Sequence, residues 1–428
     1  CSFLEARVLN LKEALKKSLQ LSQASKLQEI QIEEALIKKS QISQNWQPVL
    51  SASLSQVDNL TEKKDFLSQI ELQQKTPFGL SLRLSHEEKA KEVNVGQDAL
   101  VYSENHLSLD ISQTVWPLPH KQDPWLKWQG FEHTISARQF SSELEKQNFL
   151  RSVNDLYWDF FLASKKRKIH ERSFLWAKKE WLRGESNFKK GAIPKSELIE
   201  LEVNMLKLKE GLKLAANQER IYQIQLARLT FEKVDSLSLL EDEQSPVLKL
   251  DESLDYKKSL FLKTKESTIA AADLNFEAEK SKASPELSVR ASWAKVKDSQ
   301  LEKSISLNLK YQIPVSDRPA SLQEARTSFA LLRTEKHFLE LQIQQRFSAW
   351  QEQIKSLNEL IPSHEKRLKT TSEWVKIQEE RYTAGAISFH MLNHAKESLD
   401  TSKLDLQTRK VERNKLLGLI KAEMGLLL

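Results

Sequence analysis

The chain has 428 residues, with 65 Lys and Arg against 59 Asp and Glu for a net charge of +6; its 9 Gly and 11 Pro amount to about 5% of the chain, against a usual share near 12%. So few chain-breakers exclude folds that rest on many tight turns, a dinucleotide-binding domain and a phosphate-cradling loop, and leave long helices as the expectation. Mean hydropathy is −0.53 and no stretch approaches the roughly 18 apolar residues of a spanning helix, which excludes a helical membrane protein but not a β-barrel.

Cys1 is the only cysteine, so neither a disulfide within one chain nor a cysteine-based metal site is available. Its place at position 1 has two readings. One is a boundary that happened to fall there. The other, favoured here, is the acylated first residue of a mature bacterial lipoprotein whose signal peptide has been removed. Residues 1–45 are expected to hold this lipid anchor and a first helix.

Residues 46–116 alternate. Leu50, Ala52 and Leu54 oppose Ser51, Ser53 and Ser55, and Leu107, Leu109 and Ile111 oppose Ser108, Asp110 and Ser112. Between them Ile70 and Leu72, then Leu80, Leu82 and Leu84 against Ser81, Arg83 and Ser85, form a further pair about the turn Thr76-Pro77-Phe78-Gly79. Period two with one polar face predicts strands whose other face meets core or lipid.

Residues 117–245 read as long helices about a turn near 189–194, with a seam at Leu201, Leu208, Leu212 and Ala215. The basic run Lys165-Lys166-Arg167-Lys168, with Glu171 close behind, reads as a solvated helix face and not a nucleic-acid patch. Residues 246–284 read as a linker and helix. In 285–314, Leu287, Val289, Ala291 and Trp293 oppose Ser288, Arg290 and Ser292, followed by Ile305, Leu307, Leu309 and Tyr311 against Ser306, Asn308 and Lys310.

Residues 315–428 hold a run from about Ser321 to Arg381 that only Pro362 interrupts, and then a turn near 383–388. About 60 helical residues would reach roughly 90 Å, too long for a globular core, so such helices must pack side by side with Leu332, Leu339 and Ile343 along one seam.

The chain is written twice. Pro48 and Pro285 both lead into alternating strands, and Gly191-Ala192-Ile193 and Gly385-Ala386-Ile387 both separate long helices. The offsets are 285 − 48 = 237 and 385 − 191 = 194, so the first copy carries 43 extra residues. Short sheets of this kind leave unpaired edges that lipid does not tolerate, so closure needs several chains sharing one barrel. Trp46, Trp116 and Trp293 suit interfacial girdles.

The duplicated plan resembles the TolC family of outer-membrane efflux ducts. So do the segments Leu9-Asn10-Leu11-Lys12-Glu13-Ala14-Leu15 and Arg381-Tyr382-Thr383-Ala384-Gly385-Ala386-Ile387-Ser388, and the terminal Leu404, Leu416, Ile420, Met424 and Gly425. The resemblance implies a mainly α protein with a membrane β-barrel. Long helical hairpins would form a trimeric α-barrel tunnel through the periplasm, beneath a β-barrel shared among three chains. It implies export from the periplasm or from an inner-membrane pump, of RND or ABC type, through a periplasmic membrane-fusion adaptor. Cargo, whether drug, metal or a protein of type I secretion, is set upstream.

Carried over, the adaptor-docking positions are Lys190, Gly191, Ala192 and Ile193 with Thr383, Ala384, Gly385, Ala386 and Ile387. There are two departures. The strand pair at about Phe66 to Ser85 is extra, and either enlarges the barrel or projects outside the cell. The acidic residues that ring the tunnel mouth in the family, six and nine positions after the second tip Gly, are here Met391 and His394; the first copy has Glu197 and Glu200 at those offsets.

The gate is therefore assigned to Glu197, Glu200, Arg381, Met391 and His394, with Arg381 pairing a carboxylate of the first tip. The plain alternative is that Glu197 and Glu200 only favour a helix start. His390 and His394 with Met391 have metal-binding spacing but no third ligand. No cofactor, nucleic-acid partner or catalytic set is expected. The competing reading is a structural coiled-coil envelope lipoprotein without channel activity, which would leave the strands and the duplication unexplained.

Overall fold

A computed structural model describes residues 7–21, 23–59, 63–95, 98–231, 237–239, 255–296, 301–311 and 320–427. In chain order its elements are β1 (Arg7–Leu9), α1 (Leu11–Leu21), α2 (Gln23–Gln44), β2 (Val49–Asn59), β3 (Lys63–Lys75), β4 (Leu80–Val95) and β5 (Asp98–Trp116). There follow α3 (Asp123–Lys189), α4 (Lys195–Thr230), β6 (Leu237–Leu239), α5 (Leu260–Lys282), β7 (Glu286–Val296), β8 (Glu302–Lys310), α6 (Ala320–Thr383) and α7 (Phe389–Glu423). The chain divides into two compact units, one of Cys1–Gln28, Ser141–Phe261 and Glu340–Leu428, the other of Glu29–Phe140 and Leu262–Leu339.

The second unit is built on a six-stranded antiparallel sheet in the order β2-β3-β4-β5-β7-β8. The extra pair β3–β4 lies within this sheet, hydrogen-bonded on both sides. The register places Leu50, Leu72, Leu84, Leu109 and Trp293 in one row. Leu54, Ile70, Leu82, Ile111, Ala291 and Ile305 share that face, because side chains two apart along a strand point the same way.

The opposite face is polar and rich in serine. There the Ser85 and Ser108 hydroxyls lie 2.6 Å apart, Ser292 bonds Ser304, and Arg83 pairs with Glu71 at 3.0 Å. Beyond the apolar rows β4 and β5 continue, with β3 still paired to β4 as far as Asp65 and Lys91, and carry Glu87, Glu88, Lys89 and Glu104, a charged stretch suited to water.

Helices α2, α3, α5 and α6 all join the sheet at one end, the end that also carries the turn Thr76–Gly79. Gly79 holds a φ of 78° there. An aromatic cluster gathers at the same end: Trp125 stacks on Trp128 with centroids 5.2 Å apart, Phe78 lies 4.8 Å from Trp125, and Trp46 lies 6.2 Å from Trp128. Lys39 sets its ammonium 4.4 Å above Trp128, a cation–π contact. An irregularity in β5 between Thr114 and Trp116 shifts the alternation by one residue. Trp116 thereby comes opposite Leu287, on the apolar face.

Among its described residues the first unit is mainly helical, with the short parallel pair β1–β6. Asn10 starts α1, its side chain accepting from the Glu13 amide at 2.8 Å, as an N-cap does. The core joins Ala14 and Leu15 of α1 with Leu150, Val153, Tyr157, Trp158 and Phe161 of α3, Leu226 of α4 and Val411 of α7. Each buried Leu, Val or Phe side chain of this core stabilises the fold by about 1.5–3 kcal/mol. Tyr157 meets Trp158, and Trp158 meets Phe161, edge to face.

Gly418 of α7 lies against the buried Asn154 side chain, which occupies the space a Cβ would need. Of the expected seam positions, Leu201, Ala215 and Ile343 are buried and Leu208 and Leu212 half-buried. Helix α6 runs unbroken through Pro362, although the proline ring can donate nothing to the carbonyl four residues back.

Candidate functional site: two helical tips side by side

The strongest sequence expectation for a site falls on the two Gly-Ala-Ile turns, and the structure builds them alike. Gly191 has φ 72° and Gly385 φ 73°. Around the first, the Ala192 amide donates to Asn187 O and the Gly191 amide to Phe188 O, both at 2.9 Å. Around the second, the Ala386 amide donates to Arg381 O at 2.8 Å and the Gly385 amide to Tyr382 O at 3.0 Å. This is one helix-ending motif made twice, with glycine supplying the left-handed residue.

An added Cβ on either glycine would meet nothing within 4 Å. It is φ, not crowding, that demands glycine. Gly, Ala and the flanking Lys190, Thr383 and Ala384 are exposed, while Ile193 and Ile387 are half-buried. Ile193 lies over Gly184, whose missing side chain also admits Leu201. After the first turn α4 starts from Pro194 without a side-chain cap; after the second, Ser388 caps α7 through the Met391 amide.

The two hairpins pack against each other within the helical unit. Trp176 of α3 stacks on Phe389 of α7 with centroids 5.5 Å apart, and Lys396 holds its ammonium 4.3 Å from Trp176 while pairing with Glu379 at 2.7 Å. Asn204 and Asn393 exchange amide hydrogen bonds at 3.3 and 3.5 Å. The Tyr382 hydroxyl donates to Glu180 at 3.4 Å. Burial, joined by the Glu180 charge, pushes the Tyr382 phenol above its usual range. No sequence pattern announces the contacts between the hairpins, because each joins residues far apart in the chain.

The residues that the sequence reading assigns to a gate separate into two groups. Glu200 lies 3.8 Å from His390 Nδ1, so one carboxylate of the first repeat meets the start of α7. Glu197 occupies the first turn of α4, where a carboxylate offsets the helix dipole. Arg381 and Met391 are exposed, and the exposed His394 stands edge-on to Trp374 at 6.5 Å. Among the described residues Arg381 makes no ion pair with Glu197 or Glu200 within the chain, and no group of three His, Cys, Asp or Glu could hold a metal. Cys1 lies outside the described residues, as do 246–254 of the linker.

No family model and no curated protein matches the sequence. Solved structures do. The chain is similar to CusC, described in connection with transmembrane channel formation, at 14% identity over 96% of this chain and 91% of that one, TM-score 0.69. It is similar to the outer-membrane protein VceC of Vibrio cholerae at 11% identity over 97% and 96%, TM-score 0.68. The MtrE outer-membrane channel of Neisseria gonorrhoeae, in its open state, aligns at 13% identity over 100% and 93%, TM-score 0.65. The protein therefore has the fold of the TolC-like outer-membrane channels, the fold that the duplicated sequence plan implied.

Proposed function

We propose that the protein is the outer-membrane channel of a tripartite export system. Three copies share a β-barrel in the outer membrane and a helical tunnel in the periplasm, anchored by lipid on Cys1. The two tips, Lys190–Ile193 and Thr383–Ile387, receive a membrane-fusion adaptor that couples the channel to an inner-membrane pump. Glu197 and Glu200, with Arg381, Met391 and His394, surround the tunnel mouth. The protein provides an aqueous path and catalyses no reaction.

The observation that carries this reading is the sheet, apolar on one face and serine-rich on the other, with its outer strands β2 and β8 each paired on one side only among the described residues. Such a sheet belongs between lipid and water, and its free edges call for further copies. The exposed row Ile199, Val203, Leu206, Ile221 and Ile224 on α4 supports side-by-side helix packing between copies. The channels named above, as outer-membrane proteins of the same fold, support the same reading.

The test is planar-bilayer conductance of the detergent-purified protein, with its mass measured in the same micelles. A trimer with small, cation-selective conductance is expected. A non-conducting monomer would overturn the proposal in favour of a structural envelope lipoprotein.

A further inference from the structure

The sheet contains two more strands than its duplicated plan requires, and its outer strands show a shared deficit. On the apolar face the inner side chains Leu72, Leu82 and Leu84 are 38, 37 and 40% exposed, whereas Leu50 and Leu54 of β2 are 70 and 82% exposed and Ile305, Leu307 and Leu309 of β8 are 83, 68 and 71% exposed. Inner residues are covered from both flanking strands. The outer ones lack one flank each, and it is the flank the other could supply.

The two edges fit in direction, length and pattern. In an all-antiparallel sheet of six strands, the first and last run in opposite directions, so β2 of one copy meets β8 of the next without a parallel pair. Their lengths are 11 and 9 residues. Setting Val49, the first residue of β2, opposite Lys310, the last of β8, brings Leu50 against Leu309, Ala52 against Leu307 and Leu54 against Ile305. On the polar face it brings Ser53 against Ser306, a serine pair like Ser85–Ser108. Both faces stay continuous across the seam.

The register also contains the tilt that a barrel requires. A row across the strands starts at Leu50, one residue into β2, passes Leu72, Leu84, Leu109 and Trp293, and reaches Lys303, seven residues from the end of β8. With Val49 set opposite Lys310, the climb is 7 − 1 = 6 residues per copy. At about 3.3 Å per residue, over six strands about 4.8 Å apart, the slope is about 35°. Closed membrane barrels tilt their strands by roughly 35–45°.

We infer that β2 of one copy pairs with β8 of the next in this register, closing three copies into a barrel of three times six, or eighteen, strands, with the β3–β4 hairpin in its wall. The inference rests on the trimeric channel reading and adds to it the size and seam of the barrel. Eighteen strands at this tilt enclose a backbone cylinder about 34 Å across, against about 22 Å for twelve. Placing the hairpin outside the wall would expose Ile70, Leu72, Leu80, Leu82 and Leu84 to water and break the ladders that β3 and β4 make with β2 and β5.

Two measurements on the full chain test this. The double variant Ser53→Cys with Ser306→Cys, oxidised in outer-membrane vesicles, should convert monomer into covalent trimer, with each single variant controlling for Cys1. Strand counting by electron cryo-microscopy of the unmodified protein in lipid nanodiscs should give eighteen. A trimer with twelve wall strands would overturn the inference while leaving the channel reading intact. A trimer with eighteen strands that cross-links only at Ser51 or Ser55 with Ser306 would overturn the register. A monomer in micelles and nanodiscs would overturn the channel reading and this inference with it.

Discussion

His390 places Nδ1 3.8 Å from Oε1 of Glu200, joining the helix that leaves one tip to the helix that leaves the other. Both side chains are solvent-facing, so the contact is worth little as stability. Its interest is position, since it holds one of the two carboxylates assigned to the tunnel mouth. Replacing Glu197 and Glu200 together with Gln should lower cation over anion selectivity several-fold in bilayer reversal potentials, because carboxylates in a narrow mouth concentrate cations. Unchanged selectivity would leave Glu197 a helix-start residue only.

Arg381 sits in the last turn of α6, exposed and without a carboxylate of the first tip beside it in its own chain. The proposed gate role places its guanidinium at the tunnel mouth. Arg381→Ser should then raise single-channel conductance at least twofold. No rise would exclude Arg381 from closure of the mouth.

Gly418 and Asn154 give a packing test independent of assembly. An alanine methyl at 418 would occupy the space of the Asn154 amide, and overpacking of this kind costs about 1–3 kcal/mol. Gly418→Ala should lower the midpoint of thermal unfolding, measured by circular dichroism. An unchanged midpoint would show that Asn154 moves aside freely.

Gly191→Ala and Gly385→Ala meet no side chain, so their cost is the left-handed backbone alone, about 1 kcal/mol each. Amide hydrogen exchange should accelerate at Ala192 and Ala386, whose N–H groups close the turns, and not in the core around Tyr157. Acceleration spread across the helical unit would contradict so local a role.

His170 supplies a pH dependence. Burial, with Lys166 nearby, holds its imidazole below the usual value of 6.5. Between that lowered value and about 6.5 the unfolded chain binds a proton that the folded chain does not. The stabilising contribution of neutral His170 is therefore fully present above about pH 6.5 and declines as pH falls. His170→Gln should flatten the fall in melting temperature below pH 6.5.

Much of the fold was legible because a sheet with one apolar and one polar face imposes a strict rule. Leu50, Ala52 and Leu54 alternate with serines since the strand has an apolar and an aqueous side, and the same logic exposed β3–β4 and the second repeat. The tip glycines were legible because a positive φ leaves few alternatives. Trp116 shows the limit: its parity in the sequence puts it on the polar face, and the one-residue shift before it moves it to the apolar one. Trp125, Trp128 and Phe78 meet only once a helix and a distant turn come together, and Glu200 finds His390 only when two hairpins pack. Such contacts have no period to announce them.

The two turns divide their duties between main chain and side chain. Each is shaped by the same pair of amide bonds and one glycine, and neither depends on the identity of the residues that follow. Duplication thus left a hinge-like form that is preserved while its surroundings drift, acidic after one glycine and Met and His after the other. The residues six and nine positions beyond each glycine can therefore differ in charge between the two repeats while both turns keep one backbone form.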